Sequence, residues 1–172
     1  GMMLGLVSPS EGEILLENKN INKFKRDEIL KRFNFASPYV ELPKKLTVKQ
    51  NLEIYGRLYG IENLNCRINE ISNDLEIKNF FNKKTGELSS GQKNRVSLAK
   101  SLINKPEILL LDEPTASFDP DIGDFIRSYI QDYKSKNKVT ILLASHNMGE
   151  VERLCDSIIM MRKGKIVDSG TC

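Results

Sequence analysis

The tightest constraint on this chain is Ile108-Leu109-Leu110-Leu111-Asp112-Glu113-Pro114, an apolar run that closes on two adjacent carboxylates and a proline. Apolar at every position, the run reads as a parallel strand covered on both faces. Pro106 stops the segment before it, Gln92 to Lys105, where Val96, Ala99, Leu102 and Ile103 recur at helical spacing. Ahead of that helix stands Leu88-Ser89-Ser90-Gly91-Gln92, a tight Ser/Gly turn ending in an amide. A turn, a helix and an acid-tipped strand make a site plan.

The elements on either side extend the plan. Leu4 to Val7 is apolar and Ser8 to Gly12 is a turn cluster. Glu13 to Glu17 reads as a short strand, Asn18 to Asn22 as polar loop, Arg26 to Arg32 as a short helix, and Phe33 to Ala36 as a short buried strand. Thr47 opens a helix, with Gln50 three residues on completing a capping box and Leu52, Tyr55, Leu58 and Tyr59 forming its apolar face. Leu64, Ile68, Ile71 and Leu75 mark a second helix, which Phe80 and Phe81 close. The stretch from about Thr47 to Gly86 carries no strand signal and is expected to be a helical subdomain attached to an α/β core of residues 1–46 and 87–172.

Past the acidic strand, Asp119-Pro120 is an N-cap with proline at the first helical position. The helix it opens carries Ile122, Phe125, Ile126, Tyr129, Ile130 and Tyr133 on one face. Val139 to Ala144 is expected to be the next buried strand, ending at Ser145-His146. A short helix around Gly149 to Leu154 leads to a strand at Ile158 to Met161, and Gly164-Lys165 turns the chain back into a hairpin.

Composition excludes several classes. At 172 residues the chain is one domain by length. A net charge of +3, with basic residues scattered in pairs such as Lys44-Lys45, gives no argument for nucleic acid. No apolar run approaches the roughly 18 residues needed to span a bilayer, and no basic-then-apolar leader precedes the first turn. Cys66, Cys155 and Cys172 form no C-x-x-C and leave one over, which fits a reducing cytosol. Gly1 before Met2 is expected to be a tag remnant.

The residues around the acidic strand resemble the ATP-binding subunit of ABC transporters. Leu88 to Gln92 is similar to the family's signature motif, with Ser90 where a Gly is usual. Ile108 to Pro114 is similar to its Walker B strand with catalytic glutamate, Ala116 to Asp119 to the D-loop, and His146 to the switch histidine. Each motif alone has a plainer reading: a Ser/Gly N-cap loop, an acidic pair at a strand end, a helix cap at Asp119, a structural hydrogen bonder at His146. Their order and spacing carry the resemblance. It implies a P-loop NTPase-type α/β fold with a mostly parallel sheet. It also implies ATP and Mg²⁺ as ligands, a second ABC ATPase subunit and a transmembrane permease as partners, and a cytoplasmic place at the inner face of the membrane. Phosphoryl transfer to water needs charge neutralisation and a positioned nucleophile. On this resemblance Asp112 holds Mg²⁺, Glu113 polarises the attacking water, and His146 contacts the γ-phosphate. Ser89, Ser90 and Gly91 offer donors at a helix start that cap ATP bound by the opposite subunit, and Asp119 joins them across the dimer.

Three departures stand out. A P-loop, G-x-x-x-x-G-K-S/T, should precede this region; the only Gly-Lys is Gly164-Lys165, in the terminal hairpin. Gly5 to Gly12 resembles the segment after the P-loop helix, so the chain is expected to begin where that helix ends. The missing central strand would lie between the strand ending at His146 and that at Ile158 to Met161. An open slot leaves unpaired N–H and C=O groups, so rearrangement or filling by another segment is expected. The Q-loop glutamine falls at Ser37 or Pro38, and relatives usually continue past the Lys165–Ser169 strand. The expected function is ATP binding and hydrolysis for a permease, with these residues inactive alone. Two alternatives are a non-catalytic subunit lending its signature motif to a complete cassette, and a soluble ABC ATPase outside transport.

Overall fold

The computed structural model describes residues 2–172; Gly1, the expected tag remnant, lies outside them. Near the N-terminus β1 (Leu15–Leu16) and β2 (Lys19–Asn20) pair as an antiparallel hairpin. Glu17 and Asn18 both have positive φ, 51° and 60°, the backbone of a tight hairpin turn. This turn reverses the chain inside the segment expected to run on as strand and then loop. Two elements then form at their expected bounds: α1 (Arg26–Arg32) and β3 (Phe33–Ala36).

Next come α2 (Val48–Leu58) and α3 (Leu64–Asp74). Thr47 Oγ1 accepts from the Gln50 N–H at 3.1 Å and Gln50 Oε1 accepts from the Thr47 N–H at 2.9 Å, so the capping box closes both ways. The expected apolar face of α2 is narrower than its sequence: Leu52 is fully buried, whereas Leu58 is 75% exposed. Leu58 faces solvent, although Tyr59, one residue further on, still packs against the core that holds Leu52.

Helix α4 (Ser90–Leu102) starts two residues before the expected Gln92 and ends three before Lys105. Strand β4 (Ile108–Asp112), α5 (Pro120–Asn137), β5 (Thr140–Ala144), α6 (Met148–Leu154), β6 (Ser157–Arg162) and β7 (Lys165–Thr171) complete the chain. The central sheet is β3-β4-β5, parallel throughout, with Phe35 opposite Leu110 and Leu110 opposite Leu142. Val48, Leu52, Ile71, Leu75, Val96, Ala99 and Ile103 have zero exposure, and they share one core with Leu109, Leu111 and Ile126. Each such aliphatic side chain contributes about 1.5–3 kcal/mol on burial.

Two expectations about burial are corrected. Strand β4 is not sealed on both faces: Leu109 and Leu111 are buried, but Ile108 and Leu110 are only half-covered by the small N-terminal cluster around Ile21 and Phe33. Strand β5 is not buried either, because Thr140, Leu142 and Ala144 are exposed. The slot beyond β5 is neither closed nor filled by any described segment. The parallel sheet stops at β5, and β6 and β7 pair only with each other as a separate hairpin. Leu142, Ile159, Met161 and Ile166 on these strands are more than half exposed.

Candidate functional site

The C-terminal ends of the three parallel strands bring the predicted residues of the acidic strand together. Ala36 ends β3 and is followed by Ser37, Asp112 ends β4, and Ala144 ends β5 two residues before His146. In-register pairing of Asp112 with Ala144 fixes the height of both loops. Directly after β4 the chain leaves the strand conformation: Glu113 has φ 47°, and its N–H bonds to the Ala144 carbonyl at 2.8 Å. A non-glycine residue held in the left-handed region costs of order 1–3 kcal/mol, so the surroundings must hold it there.

The turn aims Glu113 at His146. His146 Nδ1 stands 2.6 Å from Glu113 Oε1, and the His146 N–H donates to the same oxygen at 3.0 Å. The Glu113 side chain is 17% exposed and that of His146 84%, so a shielded carboxylate meets an imidazole open to solvent. On its other side, Asp112 Oδ2 accepts from the Ser37 hydroxyl at 2.9 Å. A cavity of about 10 Å³, enough for one water, lies between Ser37, Asn94, Ser97, Asp112 and Glu113. A larger one of about 70 Å³ adjoins it, lined by Ser37, Leu42, Thr85, Lys93 and Asn94.

The signature turn is set apart from this group. Ser89 caps α4, with its hydroxyl accepting from the Gln92 N–H and Gln92 Oε1 accepting from the Ser89 N–H, both at 3.2 Å. Leu88 is buried beneath the turn, while Ser89 and Ser90 face solvent. Gly91 sits at a close approach: a Cβ there would come within 3.3 Å of the Phe118 ring, which would have to shift by a few tenths of an ångström. Among the described residues, no hydrogen bond links Leu88–Gln92 to Asp112, Glu113 or His146. Asp119 caps α5 through the Ile122 N–H at 3.0 Å and likewise stays outside the cluster.

Sequence reasoning missed Glu150, Ser145 and Thr115. Glu150 is 1% exposed and accepts hydrogen bonds from Thr115 Oγ1 at 2.8 Å and Ser145 Oγ at 2.6 Å. A signal was present, since Glu150 falls on the inward stripe of α6 with the buried Val151 and Leu154. Among the described residues no group of three or more His, Cys, Asp and Glu side chains is arranged to hold a metal. No described helix is long and apolar enough to cross a membrane.

A family model described as ABC transporter matches residues 1–116, more than half of the chain. The chain belongs to the ABC transporter family. Among its relatives, the ABC transporter ATP-binding protein NatA of Bacillus subtilis is 34% identical over 98% of this chain and 69% of its own length. The methionine import ATP-binding protein MetN 1 of Bacillus cereus is 33% identical over 96% of this chain and 49% of its own. The bacitracin transport ATP-binding protein BcrA of Bacillus licheniformis is 34% identical over 97% and 54%. The chain thus spans about half to two-thirds of the length of these curated relatives.

Solved structures agree with the family. The ATP-binding cassette MJ0796, in a dimeric post-hydrolysis state bound to ADP and Pi, superposes with TM-score 0.87 at 26% identity, over 99% of this chain and 77% of that one. The cbiO1 protein of Clostridium perfringens, part of the ABC transporter complex cbiONQ, superposes with TM-score 0.79 at 26% identity, over 99% and 70%. The fold is that of an ABC ATPase cassette, a mixed α/β structure built on a parallel sheet.

Proposed function

We propose that this chain supplies the hydrolytic carboxylate–histidine pair of an ATP-binding subunit that powers a membrane permease. The observation that carries the proposal is the 2.6 Å contact between Glu113 and His146 at the C-terminal edge of the parallel sheet, beside Asp112. Glu113 accepts a proton from the attacking water, and its two bonds from His146 hold the receiving carboxylate in place. On this reading the solvent-exposed ring of His146 is the group that contacts the γ-phosphate. Asp112 has one carboxylate oxygen bonded to Ser37 and a second with no hydrogen-bond partner among the described residues, a hard oxygen donor of the kind Mg²⁺ takes. When bound, Mg²⁺ neutralises charge on the β- and γ-phosphate oxygens. In this reading residues 1–46 and 87–172 form the ATPase core and about 47–86 the helical arm, at the cytoplasmic face of a membrane reached only through the permease.

Residues 1–172 contain no G-x-x-x-x-G-K-S/T, the element whose N–H groups and lysine cradle the phosphates. The chain alone should therefore bind Mg-ATP no tighter than about millimolar, about 4 kcal/mol. Isothermal titration tests this, and micromolar binding would overturn it.

A second reading is that the chain lends its signature turn to the nucleotide of a complete cassette. It draws on the position of Ser89 and Ser90, solvent-facing and unconnected to Asp112 or Glu113. Mixing the chain with a full-length homologous subunit and assaying ATPase separates the two. If Glu113→Gln abolishes the added activity, the hydrolytic reading stands. If Glu113→Gln has no effect while Ser90→Arg abolishes activity, the lending role replaces it.

A further inference from the structure

We propose that Glu150 is a positioning residue that takes the Ser145 hydroxyl proton for itself and so leaves Glu113 to His146. The proposal rests on the hydrolytic reading of Glu113 and adds a residue to it. Glu150 is a carboxylate with 1% exposure, and no cationic side chain lies within 4 Å of it among the described residues. Burying such a group is costly unless hydrogen bonds compensate. Its compensation comes from two hydroxyls that belong to the two site loops. Thr115, donating at 2.8 Å, follows Glu113 by two residues; Ser145, donating at 2.6 Å, immediately precedes His146. Arg127 reaches the same threonine oxygen at 3.4 Å, so the nearest positive charge acts through Thr115.

The serine is the point of competition. A hydroxyl has one proton to donate. Ser145 Oγ stands 2.6 Å from Glu150 Oε2 but 3.5 Å from Glu113 Oε2, and it also accepts the Asn147 N–H at 3.1 Å. The short contact takes the proton, and the long one is barely a bond. Glu113 Oε2 therefore stays free to accept a proton from elsewhere, while Oε1 is held by the ring and N–H of His146. With glutamine at position 150, the side-chain amide can donate to Ser145 Oγ. The serine proton then turns to Glu113 and the carboxylate follows it away from His146.

His146 is the only histidine, so its ring gives a single NMR signal and its backbone amide can be followed by hydrogen exchange in this chain without nucleotide. Neither readout requires hydrolysis, so the result stands apart from whether the chain supports ATPase activity. Glu150→Gln is expected to shift the His146 Cε1–H resonance at fixed pH and to lower protection of the His146 amide by about tenfold. In a Ser145→Ala background the same Glu150→Gln change should move both signals far less, because only the route through Thr115 remains. Ser145→Ala removes one hydroxyl and keeps the proposal open to refutation if Glu150→Gln does not fold. Alone it should leave the His146 resonance and amide protection close to wild type, because it removes the hydroxyl that would otherwise turn to Glu113. If Ser145→Ala alone lowers the protection as Glu150→Gln does, or Glu150→Gln acts equally in both backgrounds, Glu150 is structural and the proposal fails.

Discussion

The two sides of the parallel sheet treat the same kind of residue in opposite ways. On the side of α2, α3 and α4, Leu52, Ile71, Leu75 and Ile103 reach zero exposure. Beyond β5, Leu142 is 53% exposed, Ile159 61% and Ile166 64%. Both regions are rich in β-branched and aliphatic residues, so hydrophobicity alone does not decide burial. What differs is the number of neighbours. The first side has α4 packed on β3, with α2 and α3 packed against α4 in turn; the second has β5 with a bare edge and a hairpin that pairs only with itself. Apolar content expresses a demand for a neighbour, and β5, β6 and β7 show that demand unmet.

The contrast predicts its own largest effect. Leu52→Ala removes side-chain atoms from a sealed site and should cost about 2–5 kcal/mol. Leu142→Ala, on the open side, should change stability by less than about 0.5 kcal/mol. Urea denaturation of the two variants measures both. A comparable loss in each would mean that the outer face of β5 is covered in solution, and the comparison would collapse.

Much of the packed side was legible because its signals are local. Thr47 with Gln50, Asp119 with Pro120 and the four-three-four spacing of Leu64, Ile68, Ile71 and Leu75 lie within a few residues of each other. The hairpin at Gly164, with φ 75°, is equally local. Burial of Thr140, Leu142 and Ala144 was misjudged because it depends on an outer neighbour, and an apolar run reads the same whether or not that neighbour is present. In the candidate site, the clustering of Asp112, Glu113 and His146 was expected from the family resemblance carried by the order of its motifs. The Thr115–Glu150–Ser145 bridge was not: the inward stripe of α6 marks Glu150 as buried, but nothing near it in sequence shows that the Thr115 hydroxyl, 35 residues away, also reaches it. Lys100 is the same case: a cation in the apolar stripe of α4, buried to 6% exposure.

Lys100 sharpens the comparison at an intermediate scale, because only the sealed side can hold a cation out of water. Its ammonium donates to the Phe35 carbonyl at 2.9 Å and to Asn34 Oδ1 at 3.3 Å, and it lies 4.4 Å from the Phe35 ring centre. Burial pushes its pKa down from 10.5 to about 8. Between those values the unfolded chain binds a proton that the folded chain has released, so stability rises with pH across this window. Relative to Lys100→Met, the wild-type chain should gain up to about 3 kcal/mol as pH is raised from 8 to 10.5. Urea midpoints for both proteins across that range provide the check. A constant difference would show that water reaches the amine and that this side is less sealed than its exposures indicate.

The smallest effect separates the helix caps of the two sides. Thr47 closes a reciprocal box on α2, with bonds of 3.1 and 2.9 Å, at the start of a helix whose Val48 and Leu52 are fully buried. Asn147 caps α6 with one longer bond, 3.3 Å from the Glu150 N–H to its Oδ1, and its own N–H is taken by Ser145 Oγ at 3.1 Å rather than by a residue of the helix. Fraying the first turn of α2 pulls Val48 out of the core, so Thr47→Ala should cost about 1 kcal/mol. The first turn of α6 is held independently by the bonds of Glu150 to Thr115 and Ser145, which persist without the cap. Asn147→Ala should therefore cost less, about 0.5 kcal/mol, at the low end for caps. Thermal and urea melts of the pair decide it. A larger loss from Asn147→Ala would mean that α6 depends on its cap rather than on the buried carboxylate, which would also weaken the clamp assigned to Glu150.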